Sequence, residues 1–577
     1  MFTAHRRQSR LRRRAAIALV GALCLTSLST ASVHATSAPE AFKRGGEVTI
    51  GINEPFSGVC YTAAIAGPAL SALSAVFEGL FTKTAKGEPI GLLASHAVPS
   101  SDFTKWNIYL RPNISFTNGQ PMNADAVIEN LNYWRGAKYQ FPATNLWTLG
   151  GGAASFANII GLRKIDDLTV GVDLFRPQND LPELLSFPST GLRASAQLAT
   201  ANSCNTVAIG TGPFTVASIT SKDLVLQANP NYWRRDPRYP NTKLPFLSKL
   251  TFSVALEASQ RAAAVRQGAF DAAIFTGRTD NTFIVDLEQR KSFVNVYRSP
   301  VHYYPSFFLN QGNGGPFSDL NARLAVTTCI DRVRFNSVRM KGRGQVPTSI
   351  VGKENILYNP SGFTKFDVKK SKEYVAAYLA AHPDKTSLSF NIPFEGATQS
   401  QNTAKFLQAT FAKCGITMNI LTEEQAVWAT RAFNVATGNN LYDAVFFGAI
   451  TMTGAALNFP FLVTNSFPAD TTNPLKMFRT TLGRVFNLTK HTDTSIDDLL
   501  WQARAATTPA KAKVAYQAVT KKIQEQAIFT SVGNFGWAYV TNDKAKLSAP
   551  GNLVIKKGVP MVAVSPSWMD WAGLSKG

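Results

Sequence analysis

An α/β protein with more than one core is the fold class this sequence predicts, on three observations. The chain has 577 residues, 45% apolar and 17% charged, a globular composition with length for two or more cores. Strand-like and helix-like periodicities are interleaved along it rather than segregated. Leu247–Phe275 reads strand, helix, strand, and Ser387–Ile420 reads as a βαβ unit, whose expected product is a parallel strand pair.

The first residues predict export. Six arginines lie between Arg6 and Arg14 with no acid, followed by an apolar run from Ala15 to Leu23 and small residues ending at Val33-His34-Ala35. This is the layout of a secretory signal peptide over residues 1–35. The apolar run is about half of the roughly 20 residues that span a bilayer. Leu23 ahead of Cys24 argues against a lipid-anchored cysteine, and the arginine run leaves the export route open. Without residues 1–35 the formal charge falls from +22 to +16, with 53 basic and 37 acidic residues. The remaining bases are scattered, which favours the cell surface or anionic solutes over nucleic acid.

Gly46–Asn53 predicts a strand, followed by a loop and a helix through Phe77. Lys105–Val127 then gives an alternating strand (Trp106, Ile108, Leu110), Arg111-Pro112, a turn at Asn118-Gly119 and a helix opening at Asn123 with Asp125 in its first turn. Val127, Leu131 and Trp134 share one face of that helix. Gly210-Thr211-Gly212 is followed by Pro213 and an alternating strand, without a third glycine, so it is not a phosphate loop. Ser318 and Asp331 are placed to cap successive helices, and Thr508-Pro509 opens another. Ala404, Leu407, Phe411 and Cys414 form one helical face ahead of Gly415. Cys329 and Cys414 both fall at apolar helical positions and read as buried free thiols.

Four of these segments, in this order, resemble the peptide/nickel-type (family 5) solute-binding proteins of bacterial ABC importers. Lys105–Val127 is similar to the family's W-x-F-x-L-R-x-x-V-x-F-x-D-G-x-x-x-x-A-x-D-V, and Gly210–Trp233 to its G-T-G-P-Y/F strand and N-P-x-Y-W. Gly268 and Asp271 stand at its x-G-x-x-D, and Gly315–Phe335 resembles P-F-x-D-x-R-V-R-x-A-L-x-x-A-I-D-R. The resemblance implies a two-lobed periplasmic-binding-protein fold of type II, in the large peptide-binding class, with mixed sheets and a two-strand hinge. Pro300–Asn310 and Phe529–Val540 would cross between lobes. The implied division is signal peptide 1–35, lobe I 36–302 with an inserted subdomain at about 96–206, lobe II 303–535, and a return to lobe I over 536–577.

It also implies a monomer that closes on a solute outside the cell and hands it to a membrane permease and ATPase, with no chemistry and no cofactor. Carried over by position, the candidate ligand contacts are Phe56, Tyr61, Arg278, His302, Tyr303, Tyr304, Trp428, Phe447, Met452, Thr453 and Asn458. Core packing is the competing explanation for each aromatic among them. The family places the loops of Cys60 and Cys204 in one lobe, which makes them a candidate disulfide among the three pairings that four cysteines allow. Where dipeptide binders carry Arg-Pro-Tyr, with an arginine for the ligand carboxylate, this chain has Ile392-Pro393-Phe394. Where they carry an acidic stretch for the ligand amine, it has Gly448 to Leu457 with no acid. A free dipeptide is therefore not the expected ligand; longer peptides, sugars and organic acids remain, with Arg278 and the basic balance leaning toward an anion.

Other chemistry has little support. The six histidines are dispersed, and no His-Glu-x-x-His, Cys-x-x-Cys or Gly-x-Ser-x-Gly motif occurs, so neither a metal centre nor a local nucleophile elbow is predicted. The competing readings are a receptor subunit that senses the ligand without transport, and a secreted hydrolase with a triad dispersed in sequence.

Overall fold

The computed structural model describes residues 44–577 except 57, 60–66, 85–86, 136–155, 157, 200–206, 238, 277–279, 291, 434–439, 451–458, 465–486, 534, 549–553, 557–558 and 561–568. The signal-peptide residues, Cys60 and Cys204 thus lie outside the described residues. The first strand, β1 (Glu47–Ile52), buries Val48, Ile50 and Ile52. A small antiparallel sheet follows from β2 (Ala94–Pro99), β3 (Lys105–Leu110), β4 (Ile159–Asp166) and β5 (Thr169–Leu174), in the order β2-β3-β5-β4. The alternation in β3 puts Trp106, Ile108 and Leu110 inside, and α1 (Ala124–Trp134) covers them with Val127, Leu131 and Trp134. Asn123 caps α1 by accepting from the Ala126 amide at 3.1 Å. Arg111, the arginine of the leading motif, is structural: its Nε donates to the Leu92 carbonyl at 2.7 Å.

The main sheet adds β6 (Phe214–Ile219), β7 (Asp223–Ala228), β8 (Lys249–Val254) and β9 (Ala272–Phe275) to β1. β1 lies parallel to both β8 and β9, the crossover between them being α3 (Ala258–Gln267), which is preceded in the chain by the short α2 (Leu181–Leu184). Gly268 ends α3 at φ 83°, a left-handed cap that suits glycine, and Asp271 then accepts the Thr49 amide at 2.8 Å. The long strand β10 (Val294–Leu309) leads into a second group of elements. These are α4 (Leu320–Cys329), α5 (Arg332–Met340), β11 (Leu388–Phe394), α6 (Thr398–Ala412), β12 (Ile416–Thr422), β13 (Ala444–Ile450), α7 (Thr494–Ala505), α8 (Pro509–Glu525) and β14 (Phe529–Ser531), before β15 (Phe535–Asn542) returns. Among the described residues the sheet order is β13-β10-β15-β9-β1-β8-β7-β6, with β14 also on β10.

The apolar cores divide along this path. Residues 48–294 with 538–574 supply one set, and residues 307–532 the other, giving two lobes. The predicted βαβ unit is present, with β11 and β12 parallel from Leu388↔Ile416 to Phe394↔Thr422. Thr508 caps α8 with Pro509 at its first position, and Asp331 caps α5.

Two expectations are corrected. Asp319, not Ser318, caps α4, accepting from the Asn321 amide at 2.6 Å; Pro316–Ser318 instead makes a tight turn in which Ser318 Oγ donates to the Gly315 carbonyl. Cys329 and Cys414 are not free thiols but a disulfide, with Cα atoms 6.3 Å apart. The last residue of α4 meets the end of α6 inside the second lobe, where both cysteines are fully buried.

A buried histidine makes stability depend on pH. His491 packs inside lobe II with Nε2 2.9 Å from the Leu462 carbonyl, so Nε2 carries the proton, while Nδ1 has no partner among the described residues. Charging the ring would bury an unpaired N–H, and burial pulls its pKa from 6.5 down to about 4. Above pH 6.5 both folded and unfolded states are neutral at this site. Below it the unfolded chain binds a proton that the folded chain refuses, so this group's stability is lost as pH falls toward 4. The full loss is roughly 3 kcal/mol. Urea midpoints at pH 7, 5.5 and 4.5 should show the gap between wild type and His491→Gln changing with pH; a pH-independent gap would reject the assignment.

Candidate ligand-binding site

The signature motifs of lobe I meet at one buried carboxylate. Glu78 accepts from Tyr232 Oη (2.6 Å), Trp233 Nε1 (2.7 Å) and Thr211 Oγ1 (3.0 Å), and Arg234 beside it pairs with Asp570 at 2.9 Å. Burial pushes the Glu78 carboxyl above the usual carboxylate range, against the pull of Arg234 and these hydrogen bonds. The glycines of Gly-Thr-Gly serve close approach. A Cβ on Gly212 would sit 2.6 Å from the Val76 backbone, where Gly212 N donates to the Val76 carbonyl at 2.9 Å. This motif holds the frame of lobe I together, in keeping with its reading as something other than a phosphate loop.

The lobes are joined where β10 changes partners. Val294–Tyr303 of β10 pairs with β15, whereas Tyr304–Leu309 pairs with β13 and Ser306–Phe308 with β14. The register slips between Arg298 and His302 and again between Tyr304 and Ser306. His302 lies opposite Gly536 and Tyr303 opposite Phe535, which places both at the crossing; their side chains lie outside the described residues. Tyr304 is buried at the lobe II side, and its hydroxyl donates to the Glu354 carboxylate.

Two candidates, Trp428 and Phe447, meet in lobe II, and a third, Tyr304, lies on the neighbouring strand. Tyr304 is opposite Ile450 and Ser306 opposite Phe447, so Tyr304 and Phe447 lie on neighbouring strands. The half-buried Phe447 meets Trp428 edge-on at 6.1 Å, along with Phe433 and Phe461. Trp428 is 3% exposed and part of the lobe II core, and its Nε1 has no hydrogen-bond partner among the described residues. Phe56, on the other lobe, packs into the lobe I core. Tyr61, Arg278, Met452, Thr453 and Asn458 lie outside the described residues.

At the end of β11, Ile392, Pro393 and Phe394 are all buried, and Phe394 stacks on Phe446 at 5.5 Å. Neighbouring polar groups were missed by sequence reasoning. Glu354 sits in a loop with no pattern around it. Glu423, at the end of β12, accepts from Tyr442 Oη (2.5 Å) and Arg431 (2.7 Å). Burial and this carboxylate push the Tyr442 hydroxyl above its ordinary pKa. Among the described residues no group of three His, Cys, Asp or Glu side chains is placed to hold a metal ion.

Two groups of cores are thus joined by crossing strands, and comparison with known proteins shows which family builds its chains this way. The family model described as bacterial extracellular solute-binding proteins, family 5 (middle), matches residues 88–470. The chain belongs to this family. Among curated relatives of this family 5 protein, the glutathione-binding protein GsiB of Pectobacterium atrosepticum is 24% identical over 358 residues, covering 60% of this chain and 63% of GsiB. The chain thus spans somewhat under two thirds of that relative's length.

Among solved structures, the binding protein AgaA of A. tumefaciens R10, in complex with agropinic acid, aligns over 92% of this chain and 99% of its own, with TM-score 0.74 and 19% identity. The binding protein DppA of Helicobacter pylori, in complex with the peptide STSA, aligns over 92% and 98%, with TM-score 0.72 and 18% identity. These likenesses establish the fold of this family 5 member as the two-lobed, type II periplasmic-binding-protein fold. No helix among the described residues is long and apolar enough to cross a membrane.

Proposed function

We propose that the protein is the extracytoplasmic binding component of an ABC importer, capturing a small organic anion rather than a free dipeptide and delivering it to a membrane permease and ATPase. It performs no chemistry on the solute. The observation that carries the ligand reading is the buried, wholly apolar end of β11, where Ile392, Pro393 and Phe394 stand in place of an arginine for a peptide carboxylate. A charged terminus brought there would lose its hydration without a partner, at a cost of several kcal/mol. Two further points favour an anion: the net charge of +16 left beyond residue 35, and the organic acid bound by AgaA. The lobes are assigned as 36–302 with 536–577, and 303–535, boundaries that fall within the two crossing segments. Arg278, which lies outside the described residues, is the candidate for the cation that pairs with the solute, on its position relative to the family's motifs.

Isothermal calorimetry of the mature protein against a dipeptide panel and against agropinic acid tests this reading. Dipeptides should give no heat below millimolar concentration, and micromolar binding of any free dipeptide would reject it. For an acid that does bind, Arg278→Ala should weaken affinity by about tenfold or more, the loss of a charge-assisted contact; unchanged affinity would remove Arg278 from the site.

A further inference from the structure

The lobes also touch away from the crossing strands. The lobe I segment Arg176–Asp180, just ahead of α2, docks on the C-terminal end of α7 in lobe II. Asn179 N donates to the Arg504 carbonyl at 3.0 Å, and Asn179 Nδ2 donates to the carbonyls of Ala503 and Ala506, both at 3.0 Å. One lobe thereby caps a helix of the other, satisfying carbonyls that a helix end leaves open. Beside it Arg504 Nε donates to Asp180 Oδ2 at 3.2 Å, with the two side chains only 1% and 10% exposed. The Arg176 guanidinium lies 5.0 Å over the Trp501 ring. Behind the segment Lys83 pairs with Glu183 at 3.1 Å, tying α2 back into lobe I.

We infer that Asn179, Asp180 and Arg504 form a clasp between the lobes that sets how often the protein opens. These are positioning residues, acting on the open–closed equilibrium and not on the solute. The inference rests on the two-lobed fold and is independent of which solute is bound. When the lobes part, all three hydrogen bonds of Asn179 to α7 break and both charges return to water. A buried pair contributes little net, because desolvation offsets attraction, but removing Arg504 strands the Asp180 charge in the closed state alone, and removing Asp180 leaves Arg504 its lobe II contacts, the Trp501 ring among them, without the carboxylate that balanced its charge. The open state, where the survivor is hydrated, pays no such penalty. Either single neutral substitution therefore shifts the protein toward opening, by at least about tenfold in the population ratio.

The Asn179 amide is a built-in reporter, because its acceptor is on the other lobe. The Gln178 amide next to it donates to the Phe103 carbonyl at 3.1 Å within lobe I, and serves as the control. Native-state hydrogen exchange on the ligand-free full-length mature protein should show Asn179 protection lowered at least about tenfold in Arg504→Met and in Asp180→Asn, with Gln178 unchanged. Small-angle scattering should show a larger radius of gyration in both variants, and Arg504→Lys should recover part of the protection. Unchanged Asn179 protection would overturn the clasp. Loss of Asn179 and Gln178 protection together would also overturn it, since that marks loosening of lobe I rather than opening.

Discussion

Refolding the protein in reductant should lower its stability by about 4 to 5 kcal/mol, the loop-closure contribution of a disulfide spanning 85 residues. Cys329 and Cys414 are fully buried, so the native bond is shielded and reduction has to precede folding. The link joins the helix that begins lobe II to the helix of its βαβ unit, and without it both ends must be brought together by packing alone. Urea midpoints of oxidised protein, protein refolded in reductant, and the Cys329→Ala/Cys414→Ala variant give the comparison. The two forms lacking the bond should agree to within about 1–2 kcal/mol, the scale of a small core volume change. If the oxidised protein proved no more stable than either, the bond would not be a determinant of the fold.

Arg332→Ala is expected to cost roughly 3–5 kcal/mol, because several buried acceptors lose their donor at once. Arg332 is the arginine of the Ile-Asp-Arg motif and is 4% exposed. Its Nε donates to the Ser531 carbonyl at 2.8 Å, Nη2 to Thr530 Oγ1 at 2.7 Å and Nη1 to the Thr364 carbonyl at 3.1 Å, while its plane lies 4.5 Å over Phe363. These partners are carbonyls and a hydroxyl, and burial drags the guanidinium pKa down to about 9. Lysine cannot reproduce a planar fork that donates in three directions, so Arg332→Lys should recover less than half of the loss. A midpoint shift below about 1 kcal/mol for the alanine variant would show that water replaces the side chain at little cost.

Local grammar was legible in the sequence, and long-range partnership was not. The strand at Trp106–Leu110, the cap at Asn123, the Thr508-Pro509 helix start and the parallel pair of the βαβ unit follow from periodicity and capping chemistry acting within a few residues. Periodicity assigned Cys329 and Cys414 to buried faces correctly, yet it carries no information on which buried faces meet, so the disulfide was invisible. Asp180 and Arg504 are separated by 324 residues and resemble ordinary surface charges until the fold brings them together. Trp428 and Tyr304 are both buried in lobe II, and sequence alone could not tell a packed aromatic from a ligand contact.

Strand β10 belongs to both lobes at once, and this makes the joint a torsion bar rather than a pin. The strand pairs with β15 at its first end and lies between β13 and β14 at its second, and both register slips fall between Arg298 and Ser306, the stretch where a change of twist breaks the fewest ladder bonds. Twist spread over several peptide units asks only a small rotation of each, without rupture of the ladders. The joint can therefore cycle cheaply and repeatedly, leaving the energetic control of opening to contacts elsewhere on the molecule.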